Sequence, residues 1–152
     1  MKSLARWTLL LGMLVLAGCF GQQDKADSAK QAVNQWRGQW LVINYWAPWC
    51  GPCHREIPQL NQLQQRLKGH KVQLVGVNFD GLEGDELAKA AKQMHIEFKV
   101  LAEDPAKALG LPRPQGLPMT YVLDTQGKLQ AQLAGEQTKA GLTGLLTRLG
   151  AL

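Results

Sequence analysis

The chain has 152 residues, 45% of them hydrophobic and 19% charged, with 16 Gly and 7 Pro, the proportions of one ordinary globular domain and not of a fibrous or disordered chain. Setting aside Lys2 and Arg6 of the N-terminal segment takes the basic count from 17 to 15 against 12 acidic residues, so the formal charge falls from +5 to +3, too slight a bias for nucleic-acid binding. Basic blocks, basic stripes interleaved with aromatics and internal repeats are missing from the sequence, which removes solenoids and low-complexity scaffolds.

The first predicted element is an export signal: a charged start through Arg6, an uncharged apolar run from Trp7 to Ala17, then Gly18 and Cys19. The run falls short of the roughly 20 apolar residues that a spanning helix needs. Leu16-Ala17-Gly18-Cys19 resembles the lipobox of bacterial lipoproteins. That resemblance implies cleavage before Cys19 and acylation of its thiol and its new amine; several chains anchor firmly because each buried methylene contributes about 0.8 kcal/mol. Residues 1–18 are then a signal peptide, 19–29 a lipid-anchored tether without hydrophobic periodicity, and 30–152 the folded domain. The address is the periplasmic side of a bacterial membrane, and Phe20 in place of an aspartate after the lipidated cysteine points to the outer one.

Of three cysteines, subtracting Cys19 leaves Cys50 and Cys53 alone in a disulfide-permissive compartment. A bridge between them closes a very small loop and adds little stability by chain entropy, so its value is chemical. Leu41 to Trp46 predicts a buried strand ended by Ala47-Pro48. Cys53, Ile57, Leu60, Leu63 and Leu67 then recur at helical spacing, with Pro58 inside the helix and Gly69 as its stop. A strand over Val72–Phe79, a helix over Asp85–Met94 facing inward through Leu87, Ala91 and Met94, and a short strand over Phe98–Ala102 come next. Met119–Leu123 and Leu129–Leu133 flank the turn Asp124-Thr125-Gln126-Gly127-Lys128. Thr138 caps a last helix with Leu142, Leu145, Leu146 and Leu149 inward. The order predicts an α/β fold, a mixed central sheet with helices on both faces.

The cysteines fall where a strand turns into a helix, a junction that aims backbone N–H groups and the positive end of the helix dipole at what lies there. Cys50, at the helix start, should ionise below the ordinary thiol value of about 8.5 and act as nucleophile. Cys53, one turn in and on the buried stripe, stays protonated until it must resolve a mixed disulfide. Pro52 suits a first helical turn, and Gly51 lets the chain turn tightly.

Trp46-Ala47-Pro48-Trp49-Cys50-Gly51-Pro52-Cys53 resembles the active site of the thioredoxin family, and Pro58 stands at the spacing of that family's helix-bending proline. Gly116-Leu117-Pro118 before Met119–Asp124 resembles the family's cis-proline loop. The resemblance implies a thioredoxin fold, a cis Leu117-Pro118 bond facing the cysteine pair, and a substrate surface of Trp49, Gly51, Pro52 and Leu117 that takes a chain by strand addition. The anchor, the extra segment from Gly81 to Leu111 and the pattern Cys50-x-x-Cys53-x-x-Glu56-x-Pro58 resemble the membrane-tethered TlpA and ResA branch with its central insertion. Asn44 stands where cytosolic thioredoxins carry a buried aspartate. In that branch Glu56 is a proton carrier beside the cysteines; its other reading is a solvated carboxylate near the helix start.

The resemblance implies a monomeric thiol-disulfide oxidoreductase without a cofactor, with protein disulfides as substrates and a membrane electron donor of the DsbD or CcdA type. The Gly-Pro dipeptide resembles reducing members, near about −270 mV for thioredoxin against about −120 mV for DsbA. An outer-membrane address would distance it from an inner-membrane donor. Cys50-Gly51-Pro52-Cys53-His54 also satisfies the attachment pattern of a c-type haem, with His54 as axial ligand and Met94 or Met119 opposite. The upstream strand, the flanking tryptophans and the Gly-Pro loop have a role only in the first reading. A zinc site on Cys50, Cys53 and His54 lacks a fourth ligand, and a non-catalytic binding module predicts that Cys50→Ser leaves activity intact.

Overall fold

The computed structural model describes residues 34–152. The signal segment, Cys19 and the tether lie outside the described residues. In chain order the elements are β1 (Trp40–Trp46), α1 (Gly51–Arg66), β2 (Val72–Asn78), α2 (Gly84–Gln93), β3 (Lys99–Leu101), α3 (Ala106–Leu109), β4 (Met119–Leu123), β5 (Leu129–Ala134) and α4 (Lys139–Arg148). Strand order is β3-β2-β1-β4-β5. β1 pairs parallel with β2 and β2 with β3, while β4 runs antiparallel to both β1 and β5. The sheet is therefore mixed, and β1, the run of β-formers read from the sequence, is its central strand.

Alternation along β1 sends its side chains to two different cores. Leu41, Ile43 and Tyr45 join Val75, Val77, Met119 and Tyr121 on one face, against which Leu109, Leu111 and Leu117 pack. Val42 joins Leu60 and Leu63 of α1 and Leu142 and Leu146 of α4 on the other. Trp46 gathers Cys50, Cys53 and Ile57 with Leu87, Ala90 and Met94. Both faces thus carry helix, unequally: the longer helices contribute to the Val42 and Trp46 clusters, and the short α3 with its flanking loops covers the tyrosine face.

Two differences from the sequence reading have local causes. α2 turns Ala90 inward and leaves Ala91 half-buried, because its axis presents the stripe Leu87, Ala90, Met94 at spacings of three and four. The segment from Gly81 to Leu111 holds not only a helix and a strand but also α3, whose four residues are too few for a periodic signal. Gly76 has a packing role: a Cβ there would come within 3.0 Å of both the Trp46 and Phe98 rings. The missing side chain leaves room for both rings against β2.

Candidate active site

Cys50 is the N-cap of α1, with extended backbone, and its Sγ accepts the amide of Cys53 at 3.2 Å. The two sulfurs are joined in a disulfide across Cα atoms 5.3 Å apart. Cys53 is wholly buried, whereas Cys50 keeps 3% exposure, so the pair is asymmetric as the helix junction requires. What little exposure the pair keeps lies on Cys50. Pro52 falls in the first helical turn, where its missing amide leaves no bond unmade. Pro58 lies further in, where it removes the donor that would meet the carbonyl of His54.

Leu117-Pro118 is cis. The Pro118 carbonyl accepts the amide of Gly135 at 2.9 Å, and Leu117 packs against the cysteine cluster. Trp49 is 65% exposed beside Cys50, whereas Trp46, fully buried, is core. The Trp49 indole donates to both carboxylate oxygens of Asp80 at 3.1 and 3.0 Å and meets the Phe79 ring edge-on at 6.4 Å between centroids. Arg113, on the proline-rich loop, stacks over the other partner, Phe79, at 5.5 Å.

Glu56, one turn beyond Cys53 on the same helix, is fully buried, so it is not the solvated helix carboxylate that was one of its two readings. Asn44 donates its Nδ2 to Glu56 Oε1 at 2.6 Å, and the Gln137 amide donates to Oε2 at 2.9 Å. The same Asn44 nitrogen reaches Thr120 Oγ1 at 3.2 Å. Burial pushes the carboxyl up to about 7, against the pull of these two donors and with help from the Glu136 charge. The Oδ1 of Asn44 is left without a partner. A protonated Glu56 would offer it one: if the amide turns over, its oxygen accepts the carboxyl O–H, so Asn44 can serve both protonation states.

His54 is exposed, and its Nε2 is engaged with the Pro48 carbonyl at 2.8 Å, turned away from the role of a metal or haem ligand. Met119 packs in the tyrosine cluster and Met94 in the cysteine cluster, so the ligand set considered for a haem does not converge. Among the described residues no three His, Cys, Asp or Glu side chains form a metal cluster. An open cleft lined by Trp36, Leu109 and the turn Asp124–Gly127 lies at the opposite end of the sheet from the cysteines.

Sequence reading brings Cys50, Cys53, Glu56, Trp49, Leu117 and Pro118 together, and the fold places them in one region. It misses Asp80, Arg113, Thr120, Arg55 and the strap Gly135–Gln137. Thr120 has a signal, a polar residue within an otherwise apolar strand. The contacts of Gln137 and Gly135 run through backbone amides, which carry no side-chain signature.

The profile of the AhpC/TSA family matches residues 19–132. Thiol-disulfide oxidoreductase ResA of a Bacillus cereus strain is 27% identical over 153 residues, spanning 91% of this chain and 88% of that protein. Among solved structures, StoA from Bacillus subtilis shares 21% identity at a TM-score of 0.60, over 71% of this chain and 82% of that one. A thiol:disulfide interchange protein of the thioredoxin family from Chlorobium tepidum TLS shares 22% identity at a TM-score of 0.63, over 76% and 82%. The likeness shows the thioredoxin-like fold of this chain.

Proposed function

The chain belongs to the AhpC/TSA family and is a thiol-disulfide oxidoreductase similar to ResA, and from that premise we propose that it is a reductase of protein disulfides on the periplasmic side of a bacterial membrane. Cys50 is the attacking sulfur, Cys53 the resolving one and Glu56 the proton carrier. The observation that carries this reading is a buried carboxyl held near neutrality one turn from a buried resolving thiol.

In the forward half-reaction the Cys50 thiolate, favoured by the Cys53 amide and the helix dipole, attacks one sulfur of a substrate disulfide. A mixed disulfide forms and one substrate thiolate departs. Cys53 then gives its proton to the Glu56 carboxylate and attacks Cys50 Sγ, which forms the observed disulfide and expels the second substrate thiolate. Glu56 releases its proton to a departing sulfur. The substrate gains two electrons that the protein loses. The peptide preceding Pro118, with Trp49, Gly51 and Pro52 around it, supports docking of the substrate chain by strand addition.

The modest stabilisation of the thiolate, a helix start and one amide with no imidazole, supports the reducing direction. A strong oxidant owes its potential to a stabilised reduced form. Here the Cys50 sulfur has the Cys53 amide as its donor, and the His54 ring is engaged at Pro48 instead. The reduced form is thus not favoured by a neighbouring imidazole. A reductase in an oxidising compartment must be recharged with two electrons and two protons, which a membrane donor of the DsbD or CcdA type would supply.

The sequence of residues 1–29 supports export, lipidation at Cys19 and tethering of a monomeric domain 30–152, with Phe20 favouring the outer membrane. Among the described residues no helix is long and apolar enough to cross a membrane. Equilibration of the purified protein with glutathione buffers tests the direction: a potential near that of thioredoxin, about −270 mV, is expected, and one near about −120 mV overturns it.

A further inference from the structure

Between β5 and α4 the chain attaches itself to the site at consecutive residues. The Gly135 amide donates to the carbonyl of cis Pro118 at 2.9 Å. The Glu136 carboxylate takes Arg55 Nε and Nη2 at 3.0 and 2.8 Å on one oxygen. The Gln137 amide donates to Glu56 Oε2 at 2.9 Å, and the Lys139 amide to Gln59 Oε1 at 3.2 Å. Neighbours on α1, Arg55 and Glu56, thus meet neighbours on this strap, Glu136 and Gln137. Gly135, at φ +84, adopts the left-handed conformation that lets the strap face the cis-proline on one side and α1 on the other. Thr138 ends the strap by capping α4 through the Gly141 amide at 3.0 Å.

We propose that the strap Gly135–Gln137 is the positioning element that joins the buried carboxyl of Glu56 to the cis-proline peptide, with the Arg55–Glu136 ion pair as the latch that keeps it seated. This rests on the reading of Glu56 as the proton carrier. If the strap lifts, Glu56 loses the Gln137 amide, Pro118 loses its Gly135 donor, and the Glu136 charge moves away, all in one displacement. The charge that acts on Glu56 from the strap is Glu136; Cys53, His54 and Arg55 precede Glu56 on α1, with His54 engaged at Pro48 and Arg55 at Glu136, and β1 and β4 present the neutral Asn44 and Thr120. The latch side chains are 64% and 39% exposed, so water and salt reach it. It acts as a positioning pair, with Arg55 and Glu136 as positioning residues.

The test uses Arg55→Met, Glu136→Gln and the exchange Arg55→Glu/Glu136→Arg, with the Glu56 carboxyl titrated by NMR in the oxidised protein and amide exchange followed at Gln137. Arg55→Met leaves an unpaired anion near Glu56 and should raise its midpoint. Glu136→Gln removes that anion but loosens the same Gln137 donor, two opposing effects, so its midpoint should move less than the rise of about half a pH unit expected in Arg55→Met. The Gln137 amide should exchange about threefold faster in both single variants and return to the parent rate in the exchange variant. No faster Gln137 exchange in either single variant, or no recovery in the exchange variant, overturns the proposal. The reading beneath it has its own readout, the pH profile of Cys53 resolution in Glu56→Gln. An unchanged profile there with faster Gln137 exchange in the latch variants would remove the proton-carrier role and keep the strap.

Discussion

Two polar clusters stand back to back across the central strands. On one face, Tyr45 donates to Asp104 at 2.7 Å, Tyr121 donates to the Pro112 carbonyl at 2.9 Å, and the two rings meet edge-on at 5.5 Å. On the other, Asn44 and Thr120, which pair across β1 and β4, hold Glu56. Both clusters are hydrogen-bonded and built on buried strand residues, yet burial moves their titratable groups in different senses relative to neutrality. It raises the tyrosines further above their ordinary value, so they stay neutral at any working pH. It raises Glu56 to about 7, where both protonation states are populated. Burial alone does not make chemistry; a buried group does so when its two states are close in free energy. The tyrosine face acts as scaffold, since its hydroxyls tether the chain between β3 and β4 that delivers the cis-proline.

The largest test of this division is to remove a sulfur. Cys50→Ser should abolish insulin disulfide reduction, because a hydroxyl at this position has no thiolate character near neutrality. Cys53→Ser should instead accumulate a mixed disulfide on Cys50 that mass spectrometry detects. Activity surviving in Cys50→Ser would reassign the chain to a binding module. Tyr121→Phe in the same assay should keep its turnover, and a collapse there would erase the distinction between scaffold and site.

Much of this division is legible in the sequence. The Cys-Gly-Pro-Cys segment, its strand and its helix declare themselves because each is local: a run of β-formers, then apolar residues at helical spacing. Leu117-Pro118 is legible through a motif, although nothing in its composition states that it faces the cysteines. The state of Glu56 is not legible, because a helical glutamate three residues after Cys53 is equally consistent with solvent. Its burial comes from Asn44, Thr120 and Gln137, and the Gln137 contact spans 81 residues of chain. The strap and the Arg55–Glu136 latch escape for the same reason: pairings so distant in sequence are set by tertiary placement.

A second test is the pH dependence of stability in the oxidised protein, where the cysteines do not titrate. The unfolded chain ionises Glu56 near its ordinary value of 4.5, while the folded chain holds the proton up to about 7. Between these values the folded state binds more protons, so stability falls as pH rises through this window. Below it both states are protonated and the effect vanishes. The separation corresponds to about 3 kcal/mol lost above neutrality. Glu56→Gln lacks this loss: denaturant melts from pH 4 to 8 should show its stability gaining by about that amount relative to the parent. The variant should also slow resolution of the mixed disulfide by about ten- to a hundredfold. A difference between the two proteins that stays flat with pH would place Glu56 on the scaffold side of the comparison.

The smallest effect is expected where the hydroxyl of Tyr121 meets the Pro112 carbonyl. Pro112 is exposed, so water can take the place of the lost donor, and the ring retains its packing against Tyr45. Tyr121→Phe should therefore lower stability by about 1 kcal/mol, the net value of one such bond. That decrement should be the same at pH 5 and pH 8, since the tyrosine is neutral at both. The loop that begins at Pro112 also carries Arg113 over Phe79 and Leu117 against the cysteine cluster, where the proposed substrate surface lies, so loosening it should raise KM while leaving kcat in place. A pH-dependent decrement, or a fall in kcat, would mean that the two faces of the sheet are coupled through the cis-proline loop and that the tyrosine cluster belongs to the working site.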